Sequence, residues 1–231
     1  MFAIMIINWL GHSCFLLTGK KGISLLLDPF HEDEVGYCLP PVRADIVLIS
    51  HDHRDHNNAL AAGNDAKVIF GPGEYISRGM EILGIESFHD ADDGQERGTN
   101  TIFCFALDGI RVCHLGDLGH ILSRDQLKAI GAVDLLFLPV GGRYTLDAAG
   151  ANKVMRQLHP AVAVPMHYKT RALSFDLDPV DDFLKGRGPA ERQEKLILDQ
   201  GDLCRAGGPG KEGRVVLLGC AGAEGVCRSI D

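Results

Sequence analysis

Short apolar segments separated by turn residues run along the chain, a pattern typical of β-strands. On this pattern we predict strands at residues 3–8, 13–18, 23–28, 46–50, 67–70, 101–107, 110–114, 134–138 and 161–165. Segments with the apolar spacing of a helix predict helices at about residues 57–63, 72–79, 123–130, 145–158 and 179–187. Hairpins come first and strand–helix alternation follows, so we expect an α/β (α+β) protein whose sheets are covered by helices.

The domain organisation follows from the spacing of these segments. The chain has 231 residues, 45% of them hydrophobic, which is sufficient for a buried core. No linker rich in proline, serine or charge divides residues 1–205, so we predict that they form one domain. The run Gly207-Gly208-Pro209-Gly210 interrupts the pattern before a last apolar run at 215–218. We therefore expect residues 206–231 to form a glycine-rich, peripheral tail.

Composition argues against several classes of protein. A formal net charge of −8 and the lack of long Lys/Arg clusters argue against general nucleic-acid binding. Residues 1–10 are apolar but lack a basic start and a cleavage site, and they are too short to span a bilayer, so we expect a first strand and no membrane association. Seven cysteines form no C-x-x-C pair, which argues against a disulfide framework and favours a cytoplasmic location. Composition leaves the oligomeric state open.

A dense group of histidines and aspartates follows one of the apolar segments: residues 51–56 are His-Asp-His-Arg-Asp-His. Residues two apart lie on the same side of an extended chain, so His51 and His53 converge if the segment leaves a strand in extended form. Asp55 and His56 then project differently, and the segment offers ligands to two adjacent metal ions. Neutral imidazole and carboxylate groups suit zinc, and also manganese or iron. The alternative is a solvated polar loop.

Further ligands must lie elsewhere, because two metal sites need about three protein ligands each. Three polar residues stand at the ends of apolar segments, where such sites are commonly built: His89, Asp117 and His167. Each has a simpler alternative. His89 lies in a polar stretch that suits the surface, Asp117 could cap a helix, and His167 could be a hydrogen-bonded core residue.

These motifs together resemble the metallo-β-lactamase superfamily, and more narrowly its branch of small metal-dependent hydrolases similar to ascorbate-6-phosphate lactonase. The resemblance covers about residues 6–203, with these motifs in the expected order: Trp9-Leu10-Gly11-His12-Ser13, Leu27-Asp28-Pro29, the 51–56 run, His89, Gly116-Asp117 and His167. It implies a four-layer αβ/βα sandwich, with two sheets face to face and helices outside. It also implies a ligand set: His51, His53 and His89 for one metal, Asp55, His56 and His167 for the other, and Asp117 as the bridge.

Four residues near the implied ligands have supporting roles to consider. Asp28 either caps a turn or holds a ligand imidazole with its carboxylate, as metal-bound histidines usually require. His12 either looks into the cleft or occupies a turn. We expect His114 to support a ligand rather than to bind metal, and His120 is a candidate for a substrate-facing, catalytic residue.

The remaining candidates have less context. The glycine-rich loop at 141–144 allows backbone amides to approach a ligand closely, but it resembles no nucleotide-binding fingerprint. Arg143 or Tyr144 could steady an anionic substrate or could simply serve the turn. We expect His31 and His159 at the surface.

We therefore predict a dinuclear metal-dependent hydrolase that uses two Zn²⁺ ions, with Asp55 and His120 as candidate catalytic residues. The metals would share a hydroxide, because coordination lowers the pKa of water from about 15.7 to about 7. The expected substrate is a small molecule with a lactone, ester or phosphoester bond, and two cations would also admit an anionic one. The alternatives are a non-enzymatic metal-binding or sensing module and a diiron oxidoreductase, which would require a flavin partner domain.

Overall fold

The computed structural model describes residues 4–206 and 213–221. The strands, numbered along the chain, are β1 (Ile4–Gly11), β2 (Cys14–Thr18), β3 (Ser24–Leu27), β4 (Ile46–Ile49), β5 (Lys67–Phe70), β6 (Gly73–Ser77), β7 (Met80–Phe88), β8 (Thr99–Leu107), β9 (Ile110–His114), β10 (Leu135–Pro139), β11 (Val162–Met166), β12 (Glu191–Gln193), β13 (Leu196–Asp199) and β14 (Arg214–Leu218). The α-helices are α1 (Glu32–Val35), α2 (Arg124–Ile130), α3 (Ala148–Leu158), α4 (Val180–Leu184) and α5 (Gln200–Ala206).

The strands form two sheets around a shared apolar core. The smaller sheet has the order β13-β1-β2-β3-β4-β5, and the larger has the order β12-β14-β11-β10-β9-β8-β7-β6. Side chains from both sheets meet in one buried cluster, in which the rings of Phe15 on β2 and Phe137 on β10 have centroids 4.2 Å apart. Helix α3 packs against β10 and α4. Two packed sheets with accompanying helices confirm the predicted α/β (α+β) class.

The centre of the smaller sheet delivers the polar 51–56 segment to the interior. Strands β3 and β4 pair in parallel, with Leu25 opposite Ile46, and all four residues of β4 are buried. A parallel strand that is covered on both faces is a continuous apolar run, as here. Because β4 ends inside the molecule, the first residues after it, Ser50 and His51, are also buried.

The predicted helix at 72–79 is wrong, because this segment forms β6, paired antiparallel with β7. Arg78 and Gly79 join the two strands with φ angles of 51° and 75°. Two consecutive positive φ angles are typical of a type I′ turn, whose twist fits a two-stranded hairpin. The tight turn at these two residues therefore decides the structure of the segment, and the helical spacing of its apolar residues does not. The predicted helix at 57–63 shrinks to a 3₁₀ turn at Ala59–Ala62.

Residues 214–218 depart from the expected peripheral tail at 206–231. They form β14, which pairs in parallel with β11 and with β12, and Val216 is fully buried. An apolar run removes more surface from water as an inner strand than as an exposed tail, which is the physical reason for this placement. Residues 207–212 and 222–231 lie outside the described residues, and the domain boundary at 205 stays a prediction.

Two predicted helices begin at side-chain caps. The Ser123 hydroxyl accepts a hydrogen bond from Gln126 N at 3.2 Å, and Gln126 Oε1 accepts one from Ser123 N at 3.0 Å, so α2 starts with a capping box. Asp147 accepts a hydrogen bond from Gly150 N at 2.7 Å and begins α3. Within the described residues, no helix combines the length and the apolar character needed to cross a membrane.

The cysteines are in different states. Cys14, Cys104 and Cys113 are free, whereas Cys38 is disulfide-bonded. The expectation from the sequence concerned a disulfide framework, and one bonded cysteine among the described residues does not contradict it. Cysteine spacing along the chain does not predict such a bond, because a disulfide depends on proximity in space.

Candidate metal centre

The 51–56 segment is fixed at its start by Asp28, which ends β3. The Asp28 carboxylate accepts hydrogen bonds from Ser50 N at 2.7 Å and from Ser50 Oγ at 2.8 Å. Asp28 is fully buried and has a φ of 41°, a conformation that non-glycine residues rarely adopt. The polar segment thus leaves β4 at a defined position and does not behave as a solvated loop.

The other candidate ligands come from strand ends of the larger sheet. His89 follows β7, Asp117 lies just after β9, and His167 follows β11. Gly116 allows the two sheets to approach here, because a Cβ at this position would lie 2.4 Å from Asn100 Oδ1 and 2.6 Å from Ser50 Cβ. As the sequence predicted, each of these three residues lies at or just beyond the end of an apolar strand.

Asp117 lies at the centre of the cluster. Its Oδ2 atom is 3.1 Å from His89 Nε2, 3.1 Å from His167 Nε2 and 3.2 Å from His56 Nε2. The nearest nitrogen of His51 is 4.0 Å away. One carboxylate oxygen thus faces imidazole nitrogens from several separate parts of the chain.

The potential ligand atoms fall into overlapping groups in which all atoms lie within 4.8 Å of one another. The groups are His51, His53 and His89; His12, Asp55, His56 and His167; and His51, His56 and Asp117. All seven ligands implied by the motif resemblance belong to at least one group. The structure therefore brings together the whole predicted set and adds His12 to it.

Hydrogen bonds of His89 and His51, and a carboxylate close to His56, turn the Nε2 atoms of these imidazoles inward. His89 Nδ1 donates to the Tyr144 carbonyl at 2.9 Å. His51 Nδ1 donates to Ser50 Oγ at 2.9 Å, and Ser50 Oγ donates in turn to Asp28. His56 Nδ1 lies 3.1 Å from Asp28 Oδ2. Outer partners of this kind fix the tautomer and orientation of metal-binding histidines.

The buried carboxylates at the centre of the cluster favour the binding of a cation. Burial alone would raise the pKa of Asp117, but His167 and His56 outweigh it and hold that pKa well below its ordinary value. Burial alone would lower the pKa of His56, but the carboxylates of Asp117, Asp55 and Asp28 outweigh it and raise that pKa well above its ordinary value. In the metal-free protein a protonated His56 therefore compensates buried carboxylates, a role that a divalent cation would take over.

The donor set fits a divalent transition metal. Asp117 Oδ1 is buried and has no hydrogen-bond partner among the described residues, which is costly unless a cation lies beside it. His51 Nε2 and His53 Nδ1 are 3.0 Å apart, so the two nitrogens face each other as ligands of one ion would. Imidazole nitrogen and carboxylate oxygen together suit zinc, manganese or iron.

The supporting residues are placed as follows. His114 Nε2 lies 2.7 Å from Asp28 Oδ2, so that His114 and His56 share this carboxylate. His12 Nε2 lies 3.1 Å from Asp55 Oδ2, and the ring of His12 is 4.2 Å from that of His167. Burial, followed by the nearby His167, lowers the pKa of His12 to about 4. His12 thus lies in the cleft, and its φ of 51° also makes it a turn residue.

His120 does not reach the cluster. Its Nε2 accepts a hydrogen bond from Phe88 N at 3.2 Å and its Nδ1 donates to the Ile121 carbonyl at 3.0 Å, so backbone groups occupy both ring nitrogens. The expected catalytic role of His120 therefore has no geometric support. Arg143 also turns away, since its guanidinium pairs with Asp176 at 3.0 Å. His159 is exposed and ends α3.

A cavity of about 170 Å³ opens beside the cluster. Its walls are formed by His53, Asp55, His89, Arg97, Asp117, Tyr144, His167 and Phe175. Motif reasoning does not select Arg97 or Phe175, because neither stands at a strand end or beside a ligand in the sequence. One signal does precede Arg97: the Asp90–Gly94 stretch is typical of a tight, carboxylate-capped loop.

Comparisons with known proteins show the family of the chain. The family model described as the beta-lactamase superfamily domain matches residues 6–167. A UPF0173 metal-dependent hydrolase from Archaeoglobus fulgidus is 34% identical, over 86% of this chain and 97% of that protein. Another from Thermoplasma acidophilum is 30% identical, over 76% of this chain and 86% of that protein.

A solved structure agrees as well. A proposed Zn-dependent hydrolase of the metallo-beta-lactamase superfamily from Thermotoga maritima is 39% identical and has a TM-score of 0.72, with 93% of this chain and 98% of that chain covered. The chain therefore belongs to the beta-lactamase superfamily and is a metal-dependent hydrolase. The superfamily resemblance inferred from the motifs is confirmed.

Proposed function

We propose that this member of the beta-lactamase superfamily hydrolyses a small substrate and that its histidine and aspartate cluster would hold two Zn²⁺ ions for this reaction. We assign His51, His53 and His89 to one ion, Asp55, His56 and His167 to the other, and Asp117 to both. The observation that supports this most strongly is the position of Asp117 Oδ2, 3.1–3.2 Å from the Nε2 atoms of His89, His167 and His56. Mn²⁺ or Fe²⁺ would suit the same donors.

When bound, the ions supply a water of lowered pKa and stabilise the negative charge that develops during hydrolysis. Asp55 is the residue that we assign to orient this water and to accept its proton. Its side chain lines the cavity and is 14% exposed, whereas that of Asp117 is 1% exposed. His12 Nε2, at 3.1 Å, fixes the direction of the Asp55 carboxylate.

The cavity supports a small substrate. Its volume of about 170 Å³ is below the roughly 300 Å³ at which pockets for drug-sized ligands begin. A lactone, a simple ester or a phosphoester is the bond type that we propose, since all three pass through states with developing negative charge on oxygen.

The cytoplasmic location stays a prediction.

Openness of the centre favours catalysis over a purely structural or sensing role. His53 is exposed and Asp55 is partly exposed on the cavity side, whereas structural metal sites are closed by protein ligands. The cavity therefore leaves room for a water and a small substrate beside the residues that would hold the metals.

The test is to strip the protein with a chelator, reload it with zinc, manganese or iron, and assay a panel of lactones, esters and phosphodiesters. We expect turnover of at least one bond type, and only in the reloaded protein. Stoichiometric metal uptake without turnover of any compound would favour the metal-binding or sensing module instead.

A further inference from the structure

Arg97 places an uncompensated positive charge on the wall of the metal cavity. Within residues 4–206 and 213–221, no carboxylate lies within ion-pair distance of its guanidinium. Several other arginines are paired, among them Arg111 with Asp134 at 2.6 Å and Arg143 with Asp176 at 3.0 Å. In a chain with a formal net charge of −8, an arginine that faces a cavity without a carboxylate partner needs an explanation.

The loop that carries Arg97 is built around Asp90. The Asp90 carboxylate accepts hydrogen bonds from the backbone N–H groups of Asp92 (2.8 Å), Gly94 (2.9 Å), Glu96 (3.1 Å) and Arg97 (2.8 Å). The same loop returns to the metal cluster, because His89 N donates to the Gly98 carbonyl at 3.0 Å. The backbone of Arg97 is therefore held in a fixed position relative to His89.

Tyr144 holds both the arginine and a candidate ligand. Its ring lies beneath the guanidinium, with Arg97 Cζ 4.8 Å from the ring centroid, a distance typical of a cation–π contact. Its carbonyl accepts the hydrogen bond from His89 Nδ1. The flat guanidinium is thus stacked on an aromatic face, which leaves its edge, where the N–H donors are, available to a ligand.

We propose that Arg97 is a specificity-determining residue that binds an anionic group of the substrate, a carboxylate or a phosphate. The guanidinium edge matches either group by paired hydrogen bonds. Phe175 lines the same cavity, so the preferred substrate combines this anionic group with a short apolar body. The inference rests on the proposed hydrolase function for its substrate, but the anion-binding step can be tested without turnover.

The first test measures the binding of inorganic phosphate to the metal-loaded protein by calorimetry. Arg97→Gln should weaken phosphate binding about 10- to 100-fold, the size expected for a hydrogen bond to a charged group. Arg97→Lys should have an intermediate effect, because a point charge lacks the paired donors. Arg143→Gln, a neighbouring arginine engaged with Asp176, is the matched control and should leave the affinity within about twofold of that of the unmodified protein.

Metal content is measured for every variant, so that loss of zinc is not mistaken for loss of the anion contact. The proposal is overturned if Arg97→Gln retains its metal and binds phosphate as tightly as the unmodified protein. It is equally overturned if the unmodified, metal-loaded protein binds no phosphate.

A second test uses a pair of esters that differ only in a carboxylate and the corresponding carboxamide. Arg97→Gln should raise KM for the carboxylate ester about tenfold or more with little change in kcat, and should leave the carboxamide ester unaffected. Equal effects on both esters would contradict a role in specificity. If the unmodified protein cleaves neither these esters nor any compound of the panel, the proposed hydrolysis fails, while the phosphate measurement still decides the role of Arg97.

Discussion

The candidate metal cluster is assembled from two sets of residues that are positioned by different means. The first set, within residues 51–56, comes from one segment and depends on a single carboxylate, Asp28, that contacts it directly. The second set, His89, Asp117 and His167, comes from strand ends that are far apart in the chain and depends on the register of the larger sheet. A local set needs an anchor, whereas a dispersed set needs a correctly paired sheet.

The anchors of the two sets differ accordingly. Asp28 contacts the imidazoles of His56 and His114 as well as Ser50. Asn100 supports the second set through Ser87 and the backbone: its Nδ2 donates to Ser87 Oγ at 2.8 Å and to the Leu115 carbonyl at 2.9 Å, and its Oδ1 accepts from Asp117 N at 3.0 Å. Changes at Asp28 should therefore act on metal binding, and changes at Asn100 on folding.

The largest expected effect is at Asp117, where the two sets meet. Asp117→Ala should reduce the metal content from about two ions per chain to less than one, because both sites lose a shared ligand. His51→Ala should weaken only one site. Elemental analysis of the purified variants measures this, with His159→Ala as the control that should keep its metal. Equal loss in the His159 variant would mean that the site is misplaced.

The next effect is chiefly on turnover, although Asp55 is also one of the residues assigned to the second ion. Asp55→Asn keeps the shape of the side chain but loses the charge and the ability to accept a proton, so we expect kcat to fall about 100-fold or more while the melting temperature changes little. Steady-state kinetics on the best substrate of the panel, together with thermal melting, measure both. Nearly full activity in this variant would make Asp55 a structural residue.

A smaller effect is expected from the anchor of the first set. Asp28→Asn should lower zinc affinity about 10- to 100-fold, the range for partners that orient metal ligands, as measured by competition with a chelator of known affinity. Asn100→Ala is the contrast: it should lower the free energy of unfolding by about 1–3 kcal/mol by leaving buried partners unpaired. If Asn100→Ala weakened zinc binding more than Asp28→Asn, the distinction between the two sets would not hold.

The smallest expected effect is the release of a proton from His56 when zinc binds. Because the pKa of His56 is raised well above its ordinary value in the metal-free protein, His56 carries a proton at neutral pH and must release it when a metal binds. Burial lowers the pKa of His51 well below its ordinary value, so His51 releases none. Zinc affinity should therefore increase with pH until the pKa of His56 is passed. Calorimetry in buffers of different ionisation enthalpy should detect the released proton, and its absence would contradict this account of the charges.

Some features of the molecule could be predicted from the sequence because they depend on neighbouring residues. The apolar runs predict most of the central strands, and the His51–His56 segment is dense enough to indicate metal binding without any structure. The type I′ turn at Arg78 and Gly79 is also a local feature, yet the helical spacing at 72–79 conceals it until the hairpin partner β7 is seen.

The residues that support the cluster and line its cavity were brought together only by the tertiary structure. From the sequence alone, Asp28 could either cap a turn or hold a ligand imidazole. The structure places its carboxylate beside His56. His120 looks suitable for catalysis in the sequence, but its ring nitrogens are taken by backbone groups. Arg97 belongs to no recognisable sequence motif. Only its position in the cavity wall, stacked on Tyr144, suggests a role for it. Residue type and local order determine which side chains can bind a metal, whereas sheet pairing and loop closure determine which of them meet, because those contacts join parts of the chain that are distant in sequence.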